Sequence, residues 1–216
     1  MSLIDTHRHR GLRQQLVNEL KSKGIKHELI LAAFMDIPRH YFLEKTFADW
    51  AYKDVAFPID ADQTISQPYT VAIQTTLLDI KKGDKVLEIG TGSGFQACVL
   101  SYMGAKVYTI ERQKKLFDKT EKFLNEIGFG NIRTLYGDGY EGAPRFAPFD
   151  KILITAGASE IPDKLIQQLK PGGIMVIPLG QGDLQKMLRI TKNEDGSLKK
   201  ENFGNYRFVP FLKGVN

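Results

Sequence analysis

The segment EIGTGSGF, residues 88–95, places Gly90, Gly92 and Gly94 at alternate positions directly after the acid Glu88. Glycines so spaced permit a tight turn and let a ligand approach bare backbone, although alone they also fit a plain strand-to-helix turn. Counted from Gly90, the dinucleotide pattern G-x-G-x-x-G/A fails at Phe95; counted from Gly92 it fits with Ala97, so spacing leaves a nicotinamide cofactor open. The acids discriminate further. Glu88 would repel a pyrophosphate but attract an ammonium and a sulfonium, and S-adenosylmethionine carries both and no phosphate. Glu111 follows Gly90 by 21 residues, the range in which an acid takes ribose hydroxyls, and an acid there also suits a helix start. Asp138, in YGDGY (136–140), is placed to accept adenine amino hydrogens or to form an ordinary Asp-Gly turn. Together these residues favour a methyltransferase over a dehydrogenase.

The candidate nucleophiles are few. His7, His9, His27 and His40 all precede residue 41, the Asn-Pro-Pro-aromatic signature of many amino methyltransferases is absent, and Cys98 falls within the helix expected after the glycine loop. A carboxylate substrate suits this inventory, because with a reference pKa of about 4 it needs no general base at neutral pH. Its attack on a sulfonium methyl joins an anion and a cation into a neutral ester and a thioether, so the protein mainly supplies proximity and orientation. Ser66, in DQTISQPYTVAI (62–73), suits such a site. A serine before Pro68 and an apolar run is a good helix N-cap, and the same position lies beside free amides that can cradle an anion.

These residues must be positioned by regular elements. From residue 84 short apolar strands, 85–89, 106–111, 132–137, 150–156 and 173–180, alternate with helical segments at 113–127 and about 160–170. That alternation predicts an α/β fold, a Rossmann-like, doubly wound and mostly parallel sheet covered on both faces. A closing hairpin, KMLRITK with YRFVPFL around NEDGS, predicts antiparallel strands at one end. Upstream, helices are expected over about 9–23 and 27–36, then irregular aromatic-rich chain over 41–65. The expected organisation is a single domain over 1–216: an N-terminal helical cover and substrate loop (1–80), a cofactor-binding core (81–180) and a C-terminal hairpin (181–216).

Bulk properties narrow the classes. The chain has 216 residues, 42% hydrophobic and 25% charged, with a net charge of +5, as in a soluble globular protein. The basic residues are scattered, which disfavours nucleic acid as a partner. No apolar run is long enough to span a membrane and the first fifteen residues lack a signal-peptide core. The lone Cys98 excludes an internal disulfide and a Cys-based zinc site; a cytoplasmic monomer without a metal is expected.

Four further blocks, in order, carry a resemblance: FPIDADQTISQPYTVA (57–72), VLEIGTGSGFQA (86–97), YGDGYEG (136–142) and FDKILITAGASEIPDKLIQQLKPGGIMVIPLG (149–180). With MDIPRHYFL (35–43) and RFVPFL (207–212), they resemble the protein-L-isoaspartate O-methyltransferase family over most of the chain. QTISQP is the discriminating motif; the glycine loop is shared by many methyltransferases. The resemblance implies the class I S-adenosylmethionine-dependent fold and a repair reaction that methylates the free alpha-carboxylate of L-isoaspartyl residues in damaged peptides and proteins. The ester then re-forms a succinimide, part of which reopens to normal aspartate. It further implies Ser66 as the active-site serine next to that carboxylate, and Gln67, Val209 and Pro210 along the peptide groove. Glu88, Gly90, Gly92, Gly94, Glu111, Asp138 and Gly139 fall on its cofactor positions. Methylation of another carboxylate or of a small molecule, and a binding protein that keeps the fold without turnover, are the alternatives. Relatives often carry glycines where this chain has Asp60 and Asp62, which bears on substrate affinity more than on the reaction.

Overall fold

Thr6 opens the first helix, α1 (His7–Ser22), with a reciprocal cap: its hydroxyl accepts the His9 N–H, and the His9 ring accepts the Thr6 N–H. Leu16, Val17 and Leu20 recur on one face and are buried, and Gly24, at φ +95°, ends the turn. A second helix, α2 (Glu28–Asp36), stops before Pro38. These coordinates, a computed structural model, describe residues 4–216. Residues 1–3, the start of the stretch expected to lack a signal-peptide core, lie outside them. Two 3-10 segments, Arg39–Phe42 and Lys45–Tyr52, lead to a short antiparallel pair, β1 (Phe57–Pro58) and β2 (Thr64–Ile65). Helix α3 (Pro68–Leu78) follows at once.

Seven strands form the main sheet: β3 (Lys85–Ile89), β4 (Lys106–Glu111), β5 (Arg133–Tyr136), β6 (Phe149–Ile154), β7 (Leu169–Leu179), β8 (Gln185–Lys192) and β9 (Leu198–Tyr206). Their order is β5-β4-β3-β6-β7-β8-β9, parallel from β5 to β7 and antiparallel thereafter. The central strands are apolar on both faces because helices cover both. Val86, Leu153 and Val176 pack on one side with α1, α2, α3 and α4 (Phe95–Tyr102), and Leu87, Ile152 and Met175 pack on the other. The N-terminal helices thus share a core with the sheet. Helix α5 (Lys114–Glu126) joins β4 to β5.

Two expectations need correction. The 160–170 helix is shorter, α6 (Asp163–Gln168), because Leu169 already enters β7, paired with Phe149. The second hairpin arm is β9, not YRFVPFL. The turn at Asn193–Ser197 closes tightly, Asn193 N–H donating to the Ser197 carbonyl at 2.8 Å, so pairing begins at Leu198 and is used up by Tyr206. Residues 207–212 are thereby released to cross the carboxyl ends of the parallel strands. No helix among the described residues is long and apolar enough to cross a membrane.

Candidate active site

A cavity of about 610 Å³ opens where β3, β4 and β6 end, at the point where strand order reverses. Its floor is the turn after β3. Gly90 stands at φ +97°, and a Cβ there would lie 2.5 Å from the Thr155 hydroxyl. That hydroxyl donates toward the carbonyl oxygens of Ile89 and Gly90, each 2.9 Å away. Gly90→Ala therefore meets both a disfavoured backbone and an occupied space, and it should cost about 1–3 kcal/mol in denaturant unfolding. Gly92 lies on the wall and donates its N–H to Glu111 at 2.9 Å. Gly94 has another task. It is off the wall, at φ +85°, and a Cβ would lie 2.9 Å from Thr120, so it lets α4 begin against α5.

Glu111 ends β4 on the wall and accepts N–H groups from Gly92 and Gln113, both at 2.9 Å. It ties the glycine turn to the start of α5, and a carboxylate keeps lone pairs for further donors. Glu88 is buried completely beneath the turn rather than on the wall. One of its oxygens accepts the Thr109 hydroxyl at 2.5 Å, Thr109 in turn meets Thr91 on the wall at 2.8 Å, and Oε1 has no partner. Burial pushes the Glu88 carboxyl up to about 8, with Thr109 lowering it and Glu111 raising it. It stands protonated at neutral pH rather than as the ready anion expected from its position.

Asp138 is also off the wall. Its oxygens accept the Tyr140 N–H at 2.8 Å, which makes the Asp-Gly turn, and the Gly214 N–H at 2.7 Å, which anchors the tail. Gly139 is on the wall, where a Cβ would lie 2.4 Å from Ile89 and 2.8 Å from the Phe211 ring. Phe211 stacks on Tyr140 with ring centroids 4.0 Å apart.

The same cavity is also lined by Ser66 and Gln67. Ser66 is not the helix cap: the N-cap of α3 is Gln67, with Pro68 in the first turn. Capping falls to Asp54, fifteen residues upstream of Tyr69, whose N–H it accepts at 2.7 Å. The Asp54 side chain is 1% exposed, pairs with Lys23 at 2.6 Å and holds the Gln67 amide at 3.1 Å. A serine hydroxyl at residue 66 is thereby left for the cavity. Behind it, Arg39 is buried and donates to the Ser66 carbonyl at 2.7 Å. Burial lowers its guanidinium to about 9, still charged at neutral pH.

Val209 and Pro210 complete the wall. The Gly157 N–H donates to Val209 and the Phe211 N–H to Gly157, both at 2.8 Å, so this stretch hangs beside the exit of β6. The loop before QTIS is tied down by Asp60, which meets Lys119 at 2.5 Å and Lys115 at 3.3 Å. These lysines hold its carboxyl below the ordinary range and neutralise the charge that this position adds. Ala61 and Asp62 take left-handed backbone there, at φ +57° and +54°.

No described residue before Ala56 reaches the wall, so the N-terminal helices brace the cavity from behind rather than cover it. The described histidines are accordingly absent from it. His9 and His40 stack at 3.8 Å beside Asp5, whose carboxylate is held by Arg13 at 2.8 Å. Cys98 is fully buried and its thiol pushed up by burial, which removes it as a nucleophile. The sequence reading missed three site-forming residues. Arg39 and Thr155 lie inside blocks of resemblance, whereas Asp54 lies between two such blocks in the irregular aromatic-rich stretch and carries no local signal.

Comparison with known proteins adds the family. Residues 11–216 match the family described as Protein-L-isoaspartate(D-aspartate) O-methyltransferase. Relatives named protein-L-isoaspartate O-methyltransferase are 55% identical in Christiangramia forsetii and 54% in Flavobacterium psychrophilum, each alignment covering 98% of this chain and 99% of the relative. A solved protein-L-isoaspartate O-methyltransferase is 29% identical with a TM-score of 0.85, over 94% of this chain and 67% of that one. A Plasmodium falciparum structure of that description, in complex with S-adenosyl-L-homocysteine, has a TM-score of 0.81 at 24% identity, over 94% of this chain and 99% of that one, and supports the fold.

Proposed function

This chain belongs to the protein-L-isoaspartate(D-aspartate) O-methyltransferase family, and we propose that its cavity carries out that reaction with Ser66 holding the substrate carboxylate. The enzyme transfers a methyl group from S-adenosylmethionine to the alpha-carboxylate of L-isoaspartyl residues in peptides and proteins. The observation that carries the site reading is the meeting of Ser66 and the Gly90–Gly92 turn in the lining of one cavity.

The residues fit the cofactor. Gly90, Gly92 and Gly139 offer bare backbone and Glu111 offers acceptor capacity. Glu88, off the wall with Oε1 unpartnered, becomes an anionic acceptor at neutral pH only when a cationic ligand draws off its proton. Glu88 would act from beneath through Thr109 and Thr91, and Gly94 and Asp138 would act by shaping the turn and anchoring the tail. S-adenosylmethionine supplies an electrophilic methyl group on a positively charged sulfur. Ser66 and the backbone around Gln67 orient a carboxylate oxygen toward that methyl; Val209 and Pro210 confine the peptide on the other side. A C–O bond forms as the S–C bond breaks, giving the methyl ester and S-adenosylhomocysteine, with no proton to move. That balance agrees with a wall free of histidine among the described residues. Bringing the two charges together in a pocket shielded from water is the main contribution. We further propose a single functional unit, 1–80 bracing and presenting the substrate loop, 81–180 binding the cofactor and 181–216 closing the groove, acting as a cytoplasmic monomer.

Incubation with methyl-labelled S-adenosylmethionine and paired isoaspartyl and aspartyl peptides tests this. Label should enter the isoaspartyl peptide and be released by mild base as methanol, as from a methyl ester. Equal labelling of the pair, or none, overturns the assignment.

A further inference from the structure

Arg39 is 2% exposed, and no ion pair with it is found among the described residues. Its one hydrogen bond, from Nη2, goes to the Ser66 carbonyl at 2.7 Å; Nε and Nη1 are buried without partners. The guanidinium carbon stands 4.7 Å from the ring centroid of Phe95, a residue of the cavity wall, yet Arg39 is not itself on that wall. A buried cation normally sits against a carboxylate. The buried Asp54 favours the charge of Arg39 through space but shares no hydrogen bond or ion pair with it among the described residues. A guanidinium without a direct partner behind the proposed carboxylate site needs a reason.

The peptide unit provides it. Ser66–Gln67 is a trans peptide, since the one cis bond among the described residues is Ala147–Pro148. In a trans peptide the N–H points opposite to the carbonyl. With the Ser66 carbonyl turned back onto Arg39, the Gln67 N–H faces away from Arg39; Ser66 and Gln67 both line the cavity, and this N–H donates to nothing among the described residues. A cation on the carbonyl of a peptide polarises it and makes its N–H a stronger donor. Asp54 fixes the other side by accepting from the Gln67 side-chain Nε2 and the Tyr69 backbone N–H.

We propose that Arg39 is the positioning residue of the substrate carboxylate: it turns and polarises the Ser66–Gln67 peptide so that the Gln67 N–H, beside the Ser66 hydroxyl, receives the isoaspartyl carboxylate. The charge that this anion brings offsets the unpaired guanidinium. The inference rests on the reading that Ser66 holds the substrate.

The test compares binding of an isoaspartyl peptide and its carboxamide counterpart to the full chain saturated with S-adenosylhomocysteine. Arg39→Met should cut the preference for carboxylate by about tenfold or more, leave S-adenosylhomocysteine affinity unchanged and not lower Tm, because a buried unpaired charge is replaced by an apolar side chain. Arg39→Lys, which can still donate to the carbonyl, should restore part of the preference. Equal weakening for both peptides, or an unchanged preference, overturns the proposal. Should Arg39→Met not fold, Gln67→Pro decides against Gln67→Ala: φ at Gln67 is −50°, so proline fits while removing the N–H. Loss of carboxylate preference in the proline variant alone supports the donor, and its retention in both overturns it. A wild-type chain that does not methylate the isoaspartyl peptide sinks the parent reading and this one together, which separates that failure from a failure of Arg39 alone.

Discussion

Replacing Ser66 by alanine lowers kcat/KM for an isoaspartyl peptide by about ten- to hundredfold, the worth of one hydrogen bond to a charged group. Affinity for S-adenosylhomocysteine stays within about twofold in the same protein, because among the described residues no hydrogen bond ties the Ser66 side chain to the glycine turn, whose N–H at Gly92 goes to Glu111. The effect is functional and not a loss of stability, since α3 is capped by Asp54 and Gln67 rather than by Ser66. Charge flow sets how the loss divides. The carboxylate gives up its negative charge as the C–O bond forms, so a donor to it is strongest before the transition state. Removing that donor raises KM first, and kcat falls only as far as aim is lost. Steady-state kinetics on the peptide and calorimetry with S-adenosylhomocysteine read both. An unchanged kcat/KM would falsify the role given to Ser66.

Cofactor affinity rises with pH between about 6 and 8 and then levels. Glu88 is the cause, held neutral by burial until about 8. A ligand bearing an ammonium and a sulfonium favours the ionised form, so binding below that pH expels a proton and is penalised, by up to about tenfold per pH unit. The neighbours that face Glu88 are Thr109, which favours ionisation, and Glu111, which opposes it; the buried Cys98 thiol stays neutral. Calorimetry in buffers of different ionisation enthalpy should detect proton release approaching one per cofactor at pH 6.5. Glu88→Gln keeps an acceptor for Thr109 but cannot ionise; its binding should be pH-independent and, at pH 8.5, about tenfold weaker. The free protein supplies a second check. A carboxyl raised in the folded state favours folding fully below its unfolded value near 4.5, and this contribution is lost as pH rises through about 8. Stability should therefore decline over that window in the wild type, and the Gln variant should lack that slope. Proton-neutral cofactor binding by the wild type would remove Glu88 from the site.

Local signals carried most of the fold and half of the site. Strand–helix alternation is a local pattern that repeats, so it specified a parallel sheet before any contact was known. The glycines of 90–94 announce a left-handed turn because only such residues enter it cheaply, and Glu111 ends its strand at a legible distance. Local readings failed where a distant group competed. Ser66 has the chemistry of a cap, but the Asp54 carboxylate reaches the α3 amide first. Residues 206–212 have strand character, but β9 forms directly after its turn, and the released stretch is held by Gly157 instead.

What the sequence alone determined was therefore the parallel sheet, the glycine turn and the acid at the end of β4. Each depends on backbone geometry that a few adjacent residues impose. Only the tertiary structure decided that Glu88 is neutral beneath the turn and that Asp138 anchors the tail. It likewise decided that Arg39 stands unpaired behind Ser66. Those outcomes depend on which residues, tens of positions apart, exclude water from one another, and desolvation has no local signature in the chain.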